Sequence, residues 1–250
     1  MIKRVIHTAI TLAVLLVSCR QDDLPDSMPT AHEGYVALRF SADIPAMQEV
    51  VTRSVDPDGG GVQDMTLFCF DSYGLFTTTV EAKVTPTGNG AGLTGNFEAE
   101  VPENTRTVHF LANQNMSEFK EDKFRNKSEA EVMALLEGSS GRMIYWARFT
   151  CDPDNDSKID AQMADKGNTI KMIRNHAQVS IDNPINGWIE VTGFVAYNTN
   201  AFGTVAPYHP EKGFDFEWPG EDDPFVTLPQ NDARMSDITD VTTATKQYIF

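Results

Sequence analysis

The chain has 250 residues, 41% of them hydrophobic, and a formal net charge of −16. So acidic a protein does not recruit nucleic acid or anionic lipid by charge, which excludes charge-driven binding to either. Cysteines are sparse, three in all, and the length is enough for one or two domains.

At the front, Lys3 and Arg4 precede an apolar run from Val5 to Val17, interrupted only by His7, Thr8 and Thr11. The run is well short of the ~20 residues that span a bilayer. A positive n-region followed by a short apolar h-region is the layout of a secretory signal peptide. The segment Leu16-Val17-Ser18-Cys19 resembles the bacterial lipobox, in which the chain is cut just before the cysteine and the thiol is acylated. That resemblance implies a lipid anchor at Cys19, since each buried methylene contributes about 0.8 kcal/mol and two or more acyl chains hold stably. Loss of Lys3 and Arg4 with the leader takes the net charge to −18. The remaining Cys69 and Cys151 either pair as a disulfide outside the cytoplasm or stay as two small buried residues.

Residues 20–33 are polar with prolines and read as a tether. Gly34 to Ala42 alternates strictly, Val36, Leu38, Phe40 and Ala42 facing one way and Tyr35, Ala37, Arg39 and Ser41 the other, which predicts a half-buried strand. Pro45 ends it, and a loop with Thr52-Arg53-Ser54 and the turn-rich DPDGGG of Asp56 to Gly61 follows. Met65 to Phe70 is apolar on both faces and predicts a central strand. Further strands are predicted over Leu75–Val84, Phe97–Val101 and Thr107–Ala112, with a glycine-rich hairpin loop before the second of these. Ser128 and Glu131 form a capping box that starts one short helix. Val132, Leu135 and Leu136 are its expected apolar face and Gly138 its expected stop. Met143–Phe149 returns to strand, with Ile144 and Trp146 on one face. Residues 152–168 read as charged loop, and strands resume over Thr169–Ile173, Gln178–Asp182 and Trp188–Tyr197. Many short strands separated by turn signals predict an all-β chain of sandwich domains.

The sequence offers no catalytic site, cofactor site or metal site. The acidic run DPDNDSKID from Asp152 has Ser157 and Met163 where an EF-hand loop needs Gly and Glu, and Pro153 intrudes, so it reads as a solvated loop. The glycine stretch around Gly88 to Gly95 has no Gly-Lys-Ser/Thr ending and is no phosphate cradle. His109, His176 and His209 have no partner at metal-ligand spacing. There is no G-x-S-x-G, and Cys151 has no evident activating neighbour. The protein therefore reads as a non-enzyme.

Several segments, in this order, carry a further resemblance: the lipobox Cys19, YVALRFSADIP, VVTRS, MTLFCFDSYGLF, HFLANQN, MIRNHAQVSI and VTGFVAYNTNAFGTVAPY. From Cys19 to about Pro210 the chain resembles the Bacteroidetes fimbrillins, the lipoprotein-derived type V pilins and their fimbrillin-like relatives. Asp22-Asp23 also looks like the signals that send such lipoproteins to the cell surface. The resemblance implies two transthyretin-like β-sandwich domains in series. It divides the chain into a leader (1–18), a tether with a removable first strand (19–53), an N-terminal domain with one short helix (54–168) and a C-terminal domain (169–250). It implies export to the outer membrane, cleavage between Arg53 and Ser54, loss of the strand carrying Val36, Leu38, Phe40 and Ala42, and refilling of that groove by a strand from another fimbrial subunit. Adhesion to a host or bacterial surface ligand is the role implied. Family members continue past a segment like Gln247-Tyr248-Ile249-Phe250 to a donor strand; the C-terminal domain is accordingly expected to be truncated, or the subunit unable to donate. A lipid-retaining fimbrial anchor and a non-polymerising surface lipoprotein that binds glycan or a host ligand are the alternative expectations, Trp188 and Trp218 being candidate contacts for the last.

Overall fold

The computed structural model describes residues 31–43, 62–86, 95–114, 116, 120–139, 143–175, 177–180, 202–208, 213–214 and 246–249. Cys19, Arg53, Ser54, the glycine-rich loop, the strand expected over 188–197 and Trp218 lie outside these residues.

The first strand, β1 (Tyr35–Asp43), buries every second residue, and Val36, Leu38, Phe40 and Ala42 are its inward set. After it come β2 (Met65–Phe70), β3 (Phe76–Glu81), β4 (Lys83–Pro86), β5 (Gly95–Pro102) and β6 (Thr107–Ala112). Then follow α1 (Glu129–Ala134), β7 (Glu137–Ser139), β8 (Tyr145–Thr150) and α2 (Ile159–Asp165). The remaining strands are β9 (Thr169–Lys171), β10 (Ile173–Arg174), β11 (Ala177–Ser180), β12 (Phe202–Thr204) and β13 (Lys246–Ile249).

Two sheets dominate, ordered β4-β5-β1-β9 and β10-β8-β6-β2-β3. Val36, Leu38, Phe40, Phe97 and Val101 of the first meet Met65, Leu67, Val108, Phe110 and Tyr145 of the second in one buried cluster. The molecule is thus all-β, a sandwich of two layers with few helices. The second sheet is also covered on its other face. Phe68, Phe70, Leu111 and Trp146 pack there against Phe124, Val132 and Met133, with Val205 and Ala206. That double burial is why β2 and β6 carry apolar residues on both faces.

Two expected strands each prove to be two. Residues 75–84 split at buried Ala82, so that β3 lies in the second sheet and β4 in the first. Residues 169–173 split at buried Met172, β9 pairing in the first sheet and β10 in the second. Both segments cross from layer to layer at the sandwich edge, and a period of two does not record which sheet supplies the partner. The expected domain start at Thr169 therefore falls on strands that share the sheets of β1 to β6 and β8. Two small ladders, β7 with β12 and β11 with β13, complete the described pairing.

The capping box forms as read: Glu131 N–H donates to Ser128 Oγ at 3.4 Å, and Ser128 N–H donates to Glu131 Oε2 at 2.8 Å. The far end of the helix differs. It stops at Leu135, which is 43% exposed, while Met133 is buried, and Gly138 belongs to β7 rather than to a helix stop. A six-residue helix is too short to keep a full apolar stripe, and the pairing of β7 with β12 takes over the next residues. The stretch expected as charged loop contains α2. Its buried apolar residues are Ile159 and Met163, one turn apart and too few to show a period, and buried Gln162 adds a polar anchor. Gly167 (φ 84°) and Asn168 (φ 52°) close α2 in the left-handed region, with Asn168 N–H returning to Met163 O at 3.0 Å. This is a Schellman-type end that turns the chain into β9.

Candidate functional site

The residues singled out in the first strand sit together at the centre of the first sheet. β1 runs antiparallel to β5 from Tyr35↔Pro102 to Ser41↔Asn96. Its C-terminal end runs parallel to β9, with Ser41↔Thr169, Ala42↔Ile170 and Asp43↔Lys171 in register. Ser41 N–H donates to Asn168 O at 2.8 Å, Met172 N–H donates to Asp43 O at 2.8 Å, and the Ser41 and Thr169 hydroxyls lie 3.2 Å apart. On the inner face the Phe40 ring stacks on Phe97 at 5.4 Å and meets Phe110 of the opposite sheet edge-on at 5.0 Å. The outer face carries Arg39, whose Nε lies 3.3 Å from Glu98 across the ladder. Lys83 sits opposite the same Glu98 in the neighbouring β4 register. β1 thus fills a slot walled by β5 and β9, over a floor of core side chains. Phe97, Phe110 and the β9 residues are partners that the sequence did not single out, because they come from distant segments.

Cys69 and Cys151 are both buried and both free thiols. Cys69 lies in β2 opposite Val108, and Cys151 lies just beyond β8, its N–H donating to Arg106 O at 2.8 Å. β6 runs between them. Strands two apart are roughly 9–10 Å from each other, beyond the ~7 Å between Cα atoms that a disulfide spans. Of the two alternatives, the structure has the small buried residues. Burial pushes the Cys69 thiol up to about 12, despite the contact with the Thr105 hydroxyl, so it is inert.

The acidic run after Cys151 is tied down from within. Arg106 donates to the carbonyl oxygens of Ser157 at 2.9 Å and Asn155 at 2.6 Å, and more distantly to Asp152. Buried Gln162 of α2 donates to the carbonyls of Asn155 and Ser157 and accepts from Asp152 N–H at 2.8 Å. The carbonyls of Asn155 and Ser157 are therefore taken up by the Arg106 guanidinium and the Gln162 amide. Among the described residues, no group of three or more His, Cys, Asp or Glu is placed to hold a metal ion.

His109, set aside in the sequence, is fully buried within β6, on the face of the second sheet away from the slot. Trp146 Nε1–H donates to its Nδ1 at 3.1 Å, and its Nε2 lies 2.9 Å from Glu129 Oε2. The indole nitrogen can only donate, so Nδ1 accepts and the proton sits on Nε2, directed at Glu129. Arg148 completes the group, its Nε donating to Glu129 Oε2 at 2.8 Å and its Nη2 to Oε1 at 3.3 Å. Burial works to raise Glu129, but hydrogen bonds from His109 and Arg148 outweigh it and hold the carboxyl at about 2. Burial lowers His109, helped by the Arg148 charge, over the opposing pull of Glu129. The group is thus a neutral imidazole beside an ionised pair. His109 itself has no exposed surface. His32, by contrast, is exposed and bonds Glu100 at the start of β1.

No protein-family model and no curated protein matches this chain. Among solved structures, the chain is similar to a fimbrial assembly protein from Parabacteroides distasonis, with a TM-score of 0.42 and 12% identity, over 86% of this chain and 77% of that one. It is similar also to a candidate cell adhesion protein from the same species, with a TM-score of 0.49 and 12% identity, over 85% and 69% of the two chains. A candidate cell adhesion protein from Bacteroides eggerthii gives a TM-score of 0.43 and 12% identity, again over 85% and 69%.

Proposed function

We propose that the protein is the precursor of a surface fimbrial subunit that serves adhesion, exported as a lipoprotein on Cys19, and that β1 is a provisional filler of its own sandwich. The observation that carries this reading is the placement of β1. Four alternate side chains of one N-terminal strand, Val36, Leu38, Phe40 and Ala42, are buried in the shared core. The strand joins the rest of the described unit only through residues 44–61, the segment that holds Arg53. Cleavage after Arg53 leaves β1 held by its ladder and its buried face alone. Full burial contributes about 1.5–3 kcal/mol for each of Val, Leu and Phe, roughly 5–9 kcal/mol together. That is comparable with the ~5–15 kcal/mol by which a whole domain is stable. An emptied slot is therefore untenable unless another strand of the same alternation enters it. An entering strand regains main-chain bonds to β5 and sets register through its alternate side chains.

N-terminal sequencing of the protein extracted from the cell surface, together with electrophoresis of its assembled form, tests the reading. Mature chains that begin at Ser54 and run as ladders of subunits are expected. Chains that keep acylated Cys19 and an intact Arg53 point instead to a filament anchor. Chains that never associate with another subunit overturn the polymer role in favour of a solitary surface lipoprotein.

A further inference from the structure

The polar group around His109 plays no part in the strand slot, yet it is the most heavily built cluster in the described residues. Its cover comes from far along the chain. The Phe214 ring stands edge-on to the His109 ring at 4.8 Å and lies 6.1 Å from Trp146. Arg148 lies over the same Phe214 ring at 5.8 Å, and Tyr208 packs against it at 5.3 Å. Val205 and Ala206 are buried in the same cluster. β12 hydrogen-bonds to β7, the strand that directly follows α1, and α1 supplies Glu129. Residues 202–208 and Phe214 thus form a strap seated on a buried imidazole and the ion pair that it touches.

We propose that this strap is an acid-sensitive clasp, closed while His109 is neutral and released when His109 takes a proton. The hydrogen-bond directions set the mechanism. Neutral His109 accepts from Trp146 on Nδ1 and donates to Glu129 from Nε2. A second proton must go to Nδ1, where it faces the Trp146 N–H. Two donors then point at each other, and one ring must turn. Trp146 and His109 are both in ring contact with Phe214, so either movement breaks the seat of the strap. Desolvation moves the same way. Protonation places a charge on a ring with no exposed surface, which is costly in the interior. Among the described residues, the groups that face His109 are Glu129 from α1, Arg148 and Trp146 from β8, Phe70 from β2 and Phe214 from the strap. Of these, Glu129 stays ionised down to about 2 and so takes up no proton between neutral and mildly acid pH.

Hydrogen exchange of the full chain tests the clasp, with rates corrected for the pH dependence of intrinsic exchange. Between roughly pH 7.5 and pH 5, a window that brackets the ordinary histidine range, amides of Thr204 to Ala206 in the unsubstituted protein lose protection about tenfold or more. His109→Gln, which keeps a donor toward Glu129 but cannot be charged, holds the same protection at both values. Unchanged protection in the unsubstituted protein, or the same loss in His109→Gln, overturns the proposal. Should His109→Gln fail to fold, a chain carrying His7→Gln, His32→Gln, His176→Gln and His209→Gln together keeps His109 as its sole imidazole. That chain must retain the full response, and its loss of the response also overturns the clasp.

Discussion

Phe40 touches both layers of the sandwich, and its truncation is the sharpest single test of the strand slot. Phe40→Ala leaves a void between Phe97 and Phe110 and is expected to cost about 3–5 kcal/mol. Phe40→Lys and Ala37→Lys make a cleaner pair, because the same charge is placed on opposite faces of one strand. The ammonium introduced at position 40 enters the core without a partner, whereas the one introduced at position 37 faces Glu100 across the ladder. Thermal melts should show a large loss for the first and a change within about 0.5 kcal/mol for the second; equal losses would remove the slot from the account. Ser41, by its pattern an outward residue, is unsuitable as that control, since its hydroxyl bonds Thr169. Glu129 carries a second residue-scale prediction. Its folded value of about 2 lies below the ordinary carboxylate value of 4.5, so the folded state holds fewer protons than the unfolded one. Its contribution, about 3 kcal/mol for a shift of that size, is present above pH 4.5 and is lost as pH falls toward 2. His109 is lowered below 6.5, so its neutral form favours folding above that pH and the advantage shrinks as pH falls from 6.5. Stability measured by denaturant should therefore fall on acidification in two stages, and Glu129→Gln should shrink the lower one, to which Glu100, Glu121 and Glu131, also lowered by their hydrogen bonds, contribute the remainder.

Among the elements, α1 depends on its first residue more than on its length. Its capping box satisfies orphan N–H groups at both ends of the reciprocal pair, and Val132 and Met133 then seat it on the second sheet. Ser128→Ala should cost about 1 kcal/mol in a denaturant melt, without altering the strands; no loss would mean that packing alone holds the helix. β1 is the opposite kind of element, held by tertiary partners on both sides. Among the described strands β9 pairs only with β1 in its sheet, so loss of β1 also strips β9 of that ladder. β9 and β10, the two halves of one expected strand, consequently differ in dependence: β10 keeps β8 whatever happens to β1.

For the whole molecule the dominant quantity is charge. A net −16 repels itself in the compact state, and the repulsion is screened beyond about 8 Å at an ionic strength near 0.15 M. Raising sodium chloride from about 0.01 M to about 0.15 M should therefore raise the melting temperature. A fall would mean that the local pairs, Arg148 with Glu129 and Arg39 with Glu98, outweigh the summed repulsion.

By itself the sequence determined what depends on neighbours along the chain. The inward set of β1, the bounds of β2 and β6, the capping box of α1 and the failure of the acidic run as an EF-hand all follow from spacing within a few residues. The proposals for residues 16–19 and Arg53 rest on local sequence alone. Only the tertiary structure decided partners. It assigned β3 and β4, and β9 and β10, to different sheets, placed β6 between the two cysteines, and gave Arg106 the carbonyls of the acidic loop. It also gathered His109, Glu129 and Arg148 from β6, α1 and β8 beneath a strap from residues beyond 200. A period of two tells which side of a strand is buried, but not which layer it joins; an ion pair between residues about twenty positions apart leaves no period at all.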